Sequence, residues 1–255
     1  MTGYLAVGCS FPIFGSICII ISFAICADAR RLAIAQYNSV EEIRFAHNKI
    51  NLLAIALPME TLTLNVPPAV GLTDEQFYQL CVANEEWRLE LSAEGELIIM
   101  PPTSGESGIR NADLTTDLNL WNRQNRLGKV FDSSTEFRLP NGAKRSPDVS
   151  WVILKRWEAL PPDDRKRFPP LGPDFVIELR SETDSLKELR AKMQEYQNNG
   201  ARLGWLIDPQ TPLIEIYRPS RDVETINFSF DEPPTLSGED VLPGFILDLT
   251  PILNP

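Results

Sequence analysis

Strands and helices interleave along this 255-residue chain in an order that predicts one α/β domain built on a mixed sheet. Three observations carry that prediction. Short apolar runs, several alternating with polar residues, recur at 87–91, 96–100, 149–154, 175–179 and 203–207. Longer stretches with apolar residues three and four apart lie between them, at 73–83, 108–126 and 185–199. Gly, Pro and Asn mark the joins, and no internal repeat is present.

The elements follow in order. Met59 to Gly71 reads as an irregular lead, and Thr73 caps a short amphipathic helix with Glu75 and Gln76 in its first turn and Phe77, Leu80 and Cys81 on one side. Trp87–Leu91 and Glu96–Met100 form a hairpin around Ala93-Glu94-Gly95, stopped by Pro101-Pro102. A long helix from Gly108 to Arg126 places Leu114, Leu118 and Trp121 on one face, with Gly128 closing it. Strands are expected at 129–132 and 136–139, a turn at Pro140-Asn141-Gly142, and a strand at 149–154 entered from Pro147-Asp148. The proline-rich, charged stretch 155–172 is a loop or short helix. A strand at 175–179, a helix from Ser185 to Asn199 ended by Gly200, a strand at 203–207 and hairpin strands at 213–218 and 223–228 complete the body.

Composition narrows the chemistry. The net charge is −11, with the residues before Met59 near +1 and the remainder near −12. So acidic a surface does not favour broad adhesion to phosphate backbones, so a nucleic-acid role requires a local basic patch or a metal. The body holds one cysteine, Cys81, and the single histidine is His47 in the N-terminal part. That excludes a disulfide framework and leaves no Ser-His-Asp triad, Cys-His pair or histidine zinc site for the body. Its chemistry falls to carboxylates, lysines, arginines and hydroxyls, and its cysteine usage suits a reducing, cytoplasmic compartment.

Residues 1–58 differ from the rest. Leu5 to Ala27 carries no charge, long enough to cross a bilayer, and Arg30-Arg31 behind it would leave the body cytoplasmic. Ala27-Asp28-Ala29 also resembles a signal cleavage site, although a basic n-region is missing. A third reading is translated upstream sequence, with the working protein starting at Met59. Membrane association stays open among these.

Within the body, Asp148 opens one strand and Glu178 ends another, both strands apolar enough to be central. Two carboxylates at adjacent strand ends supply hard oxygen ligands of the kind Mg²⁺ prefers, and a cation would explain an acid in core sequence. Phosphodiester hydrolysis also needs a group that steadies charge on phosphorus, commonly a lysine two residues after the glutamate. Here that position is Arg180, a poor base because it stays protonated. Lys192, about two turns into the following helix, can substitute if the helix folds back over the strand end, whereas Lys187 is expected to be exposed.

Pro147-Asp148, then PDFVIELRS with Glu178 and Ser181, Lys192 and Tyr196 in K-x-x-x-Y, Gly200, and GWLIDP resemble the Uma-type restriction endonuclease family, a branch of the PD-(D/E)xK nuclease superfamily. GELIIMPPTSGESG at the front and LPGFILDL at the end extend the likeness from about Leu72 to Leu249. The resemblance implies a restriction-endonuclease-like fold over 72–250, a mixed central sheet flanked by helices, and a Mg²⁺- or Mn²⁺-dependent endonuclease acting on DNA. It implies Asp148 and Glu178 as metal ligands with the Leu179 carbonyl a third, Lys192 as the lysine moved from strand to helix, and a further acid from the front, Glu96 or Glu106. A histidine common in the family after the front motif is absent here. Nucleases that cut both strands often pair, so a homodimer is a further expectation.

Structural alternatives stand beside these. Asp148 can cap a turn, Ser181 can cap the following loop or helix, and Glu178 with Lys192 can be a buried ion pair in a non-catalytic binding or assembly module. Tyr196 and Trp205 are expected in the core, and Arg180 is expected to turn into solvent.

Overall fold

The alternating runs assemble into two sheets and a hairpin in the computed structural model, which describes residues 61–66 and 71–253. The apolar segment 5–27 and its three readings lie outside the described residues. Among the described residues no helix is long and apolar enough to cross a membrane.

The smaller sheet is antiparallel, in the order β1-β3-β2-β6-β5, with β1 at Leu62–Leu64, β2 at Arg88–Leu91, β3 at Leu97–Met100, β5 at Phe137–Arg138 and β6 at Lys144–Arg145. The larger comprises β4 (Gly128–Asp132), β7 (Val149–Ile153), β8 (Phe175–Leu179), β9 (Leu203–Asp208), β10 (Leu213–Tyr217) and β11 (Glu224–Asn227), in the order β11-β10-β9-β8-β7-β4. Only β8 and β9 run parallel, joined by helix α4 (Leu186–Asn198) as a crossover. A C-terminal hairpin, β12 (Thr235–Ser237) with β13 (Ile246–Asp248), precedes the short α5 (Thr250–Leu253).

Both faces of the larger sheet are covered, so its central strands are apolar throughout. On one face Leu114, Leu118 and Trp121 of α2 (Gly105–Asn125) pack with the C-terminal hairpin region against Phe175, Ile177, Trp205 and Ile214. On the other, Met193 and Tyr196 of α4 pack against Val152, Val176 and Leu206. A third cluster sets α1 (Asp74–Ala83) on the small sheet through Phe77, Leu89, Leu91 and Leu97. Thr73 and Gln76 make the expected reciprocal cap of α1.

Several elements differ from the sequence expectation. The lead segment contributes β1, paired with β3. Between the expected turn at Pro140-Asn141-Gly142 and the strand entered from Pro147-Asp148 lies a further strand, β6, whose pairing with Leu91 ties β2 to β5. The proline-rich stretch holds α3 (Leu154–Ala159) and a 3₁₀ turn at Asp164–Lys166. Helix α2 starts at Gly105 under a Ser104 cap and ends at Arg126, in a left-handed conformation with φ 54°.

Gly128 therefore does not close α2; it opens β4, where its backbone exchanges two hydrogen bonds with the side chain of Asn122. A Cβ there would lie 2.3 Å from the Val152 carbonyl oxygen and 2.3 Å from the Trp151 ring, itself held by Asn122. Gly128→Ala is expected to destabilise the fold by about 2 kcal/mol or more, measured by urea unfolding, because backbone and a fully buried indole must both shift.

Candidate active site

Alternation along β8 decides where its acid points. Phe175, Ile177 and Leu179 enter the α2-side cluster, so Val176 and Glu178 face α4. Glu178 is 3% exposed, and burying its charge is costly without partners. Two come from α4, whose Ser185 cap and four-residue spacing stack Lys192 beneath Tyr196. Lys192 Nζ lies 3.0 Å from Glu178 Oε1, and the Tyr196 hydroxyl donates to the same oxygen at 2.9 Å.

The small sheet supplies a second acid to the same ammonium. Leu89 and Leu91 of β2 pack toward α1, which turns Glu90, 2% exposed, toward α4. Its Oε1 lies 2.9 Å from Lys192 Nζ and accepts the Ser146 amide at 2.9 Å. Arg145 extends the pairing, with Glu90 at 3.1 Å and Glu195 of α4 at 2.5 Å. Lys192 also donates to the Ser146 carbonyl at 3.4 Å, so all three of its donors are engaged within the protein.

Asp148 stands at the entrance to β7. Its Oδ2 accepts the Leu179 amide at 3.0 Å and its Oδ1 accepts Asn111 Nδ2, from α2, at 3.1 Å. Asp148, Glu178, Leu179, Lys192, Asn111 and Arg88 line one cleft of about 320 Å³, with 101–104 and 181–184 forming further walls. Glu178 Oε2 makes no hydrogen bond and is not sealed from solvent, so it opens toward this cleft.

Burial raises the Asp148 carboxyl, against the Leu179 amide and the positive charge of Arg88, which pull it down. Burial likewise holds Glu178 above the ordinary carboxylate range despite Lys192, with Asp148 and Glu90 adding repulsion. Burial opposes the charge on Lys192, but Glu178 and Glu90 outweigh it and keep the ammonium protonated. Burial also opposes charge on Glu90, where Lys192, Arg145 and the Ser146 amide prevail and hold the carboxyl low. The cleft thus carries two carboxylates whose charge is incompletely compensated, beside a lysine that stays cationic.

All four residues expected from sequence, Asp148, Glu178, Leu179 and Lys192, meet at this cleft. Glu96 and Glu106 do not. Glu96 is engaged with Ser92 at the hairpin, and Glu106 is an exposed first-turn residue paired with Arg110. The acid from the front that reaches Lys192 is Glu90, which does not itself line the cleft and which the strand pattern RLEL assigns to solvent because a second covering layer on that face leaves no local signal. Arg145, Asn111 and Arg88 were equally invisible, since their neighbours come from other strands and helices. Arg180 does not turn into solvent; it pairs with the buried Asp208 at 2.8 Å and donates to the Asp184 carbonyl. Ser181 donates its amide to Asp184, while Ser185 caps α4. Lys187 is exposed, and Tyr196 and Trp205 are core residues.

With this geometry in view, comparison with known proteins is informative. A family model described as "Uma2: Putative restriction endonuclease" matches residues 74–250. The chain belongs to the Uma2 family. The Uma2 match takes in the larger sheet, the smaller sheet apart from β1, α4 and every cleft residue named above. With a crystal structure described as that of "a putative nuclease belonging to DUF820" from Anabaena variabilis ATCC 29413, the alignment covers 71% of this chain and 97% of that one at 22% identity, with a TM-score of 0.58. That likeness shows the shared fold, a mixed sheet flanked by helices. No curated protein matches the chain significantly.

Among the described residues one buried acid outside the cleft has no ion pair. Glu136, 5% exposed, accepts a weak hydrogen bond from the Cys81 thiol at 3.9 Å, and its Oε1 has no partner. Burial, reinforced by repulsion from Glu90, pushes its carboxyl up to about 9 from an ordinary 4.5. A raised folded value means stability that is fully present below the unfolded value and lost as pH climbs toward the folded one. Glu136→Gln is expected to flatten the loss of stability between the two values, 4.5 and about 9, in urea unfolding across that range. At the upper end the variant should exceed wild type by about 1–3 kcal/mol, since the amide carries no charge to bury.

Proposed function

We propose that this chain is a metal-dependent endonuclease that hydrolyses DNA phosphodiester bonds in the cleft formed by Asp148, Glu178 and Lys192. The observation that carries this reading is the opening of two incompletely compensated carboxylates, from neighbouring strands, into one cleft beside a protonated lysine.

The donor set suits Mg²⁺ or Mn²⁺. Among the described residues no group of three or more His, Cys, Asp and Glu is placed to hold a metal, so a closed protein cage is not on offer. Mg²⁺ commonly binds through one or two carboxylates, leaving the remaining positions to water and substrate phosphate. Asp148 and Glu178 Oε2 would supply the carboxylate oxygens and the Leu179 carbonyl a third donor. The ion would supply Lewis acidity at phosphorus and a more acidic bound water.

The chain's own groups account for the rest. The Leu179 amide and Asn111 fix both oxygens of Asp148, and Tyr196 with Lys192 fixes Glu178 Oε1, leaving Oε2 toward the cleft. Lys192, held cationic, acts as a fixed positive charge that orients Glu178 and stabilises through its field the negative charge that develops at the phosphate, not as a base.

A second reading has one observation in its favour: all three Lys192 donors are engaged within the protein, as in a structural ion pair of a binding module that has kept the fold. Supercoiled plasmid incubated with the full chain separates the two. The endonuclease reading expects nicking with Mg²⁺ or Mn²⁺, none with EDTA, and a loss of about 100-fold or more in Asp148→Asn, Glu178→Gln and Lys192→Met. A folded wild-type chain that leaves plasmid intact with either metal would decide for the binding module.

A further inference from the structure

Arg88 is out of place in this protein. Arginines rarely lie partly buried without a partner, and elsewhere the half-buried basic side chains are satisfied: Arg145 by Glu90 and Glu195, Arg180 by Asp208, Arg156 by Asp174, Arg110 by Glu106 and Arg218 by Glu224 and Glu239. Among the described residues Arg88 is the one basic side chain that is not exposed and makes neither an ion pair nor a hydrogen bond, and its Nε is buried without a partner. Two residues before Glu90 on β2, its side chain leaves the strand on the face turned to the cleft, and it is one of only two basic residues in the cleft lining.

The other is Lys192, whose three donors already serve Glu90, Glu178 and Ser146. A phosphodiester entering the cleft brings a negative charge and two non-bridging oxygens toward Asp148 and Glu178, and Lys192 could reach it only by giving up a buried partner. None of the Arg88 side-chain donors is engaged within the protein, and its two Nη groups form the end of a planar fork that matches two phosphate oxygens. It lies close enough to Asp148 to draw that carboxyl down without pairing with it.

We infer that Arg88 is the phosphate-holding residue of the cleft, gripping the non-bridging oxygens of the DNA backbone while Lys192 stays committed to the two glutamates. This assignment rests on the endonuclease reading. It makes Arg88 a substrate-binding group whose partner arrives with the DNA, and it explains how so acidic a protein can engage a polyanion through one local cation instead of a basic face.

The test compares wild type, Arg88→Gln and Arg88→Lys in the full chain. Binding of a fluorescein-labelled DNA duplex is followed by anisotropy across a salt series with Ca²⁺ in place of Mg²⁺, alongside plasmid nicking with Mg²⁺ and thermal unfolding of each protein. Arg88→Gln is expected to bind roughly tenfold or more weakly, with a plot of log affinity against log salt shallower by about 0.9, the signature of one lost phosphate contact. Nicking should fall at least in proportion, and Arg88→Lys should recover part of both. The melting temperature of Arg88→Gln should match or slightly exceed wild type, because no partner in the unliganded protein is lost. Wild-type affinity and salt slope in Arg88→Gln, with wild type nicking normally, would overturn the assignment and leave the endonuclease reading intact. A melting temperature several degrees lower in Arg88→Gln would also overturn it, in favour of a structural role. A wild-type chain that neither binds nor nicks would bring down the endonuclease reading and Arg88's role with it.

Discussion

One ammonium group, Lys192 Nζ, sits between carboxylates from two different sheets, and the arrangement of the protein depends on that convergence. Glu90 belongs to the small sheet and Glu178 to the large one, and both reach the same nitrogen from α4, at 2.9 and 3.0 Å. Arg145 repeats the pattern from β6, joining Glu90 to Glu195 on α4. Apolar packing brings the layers together, but it is non-directional and tolerates sliding. The charged contacts are directional and buried, so a shift of one sheet against the other would strand a carboxylate in the core. Hydrophobic residues of the same volume could hold the layers as firmly or more so. Stability alone therefore does not require charges at Glu90, Glu178 and Lys192.

The distribution of charge around that nitrogen is uneven. Glu90 is compensated twice, by Lys192 and Arg145, and its carboxyl is held low. Glu178 is compensated only in part, and Asp148 is bound by an amide and a carboxamide with no ion pair at all. Compensation is complete at the buried end of the network and falls away toward the cleft, where Arg88 waits unpaired. On the reading proposed above, a cation for the carboxylates and a phosphate for the arginine would complete the compensation. Membership of the Uma2 family is in keeping with that reading.

Much of this was legible in the sequence, for identifiable reasons. Glu178 stood out because it interrupts an otherwise apolar strand, and Lys192, two turns into the following helix, was the cation that could reach it; that Tyr196, expected only as a core residue, also donates to Glu178 emerges from the structure. Asp148 was marked by its place directly before a central strand. Glu90 was not legible, since an acid flanked by leucines in a four-residue strand has the pattern of a half-exposed sheet, and only the packing of one sheet's face beneath α4 buries it. Arg88 lay beyond reach for the same reason, because what distinguishes it is the lack of a partner, a property of the assembled cleft. The end of α2 was misjudged because Gly128 has the residue type of a helix stop while its actual constraint is the approach of Trp151 and Val152 across β4 and β7.

The central claim is that Asp148 and Glu178 are left uncompensated to receive a divalent ion. Thermal unfolding of the full chain with increasing Mn²⁺ tests it most directly, because a ligand that binds only the folded state raises stability with its concentration. The account predicts a melting temperature that climbs with Mn²⁺ in wild type and stays flat in Asp148→Asn and Glu178→Gln, both of which should already melt at or above the metal-free wild type. A wild-type midpoint indifferent to Mn²⁺, or one that rises equally in all three proteins, would contradict it.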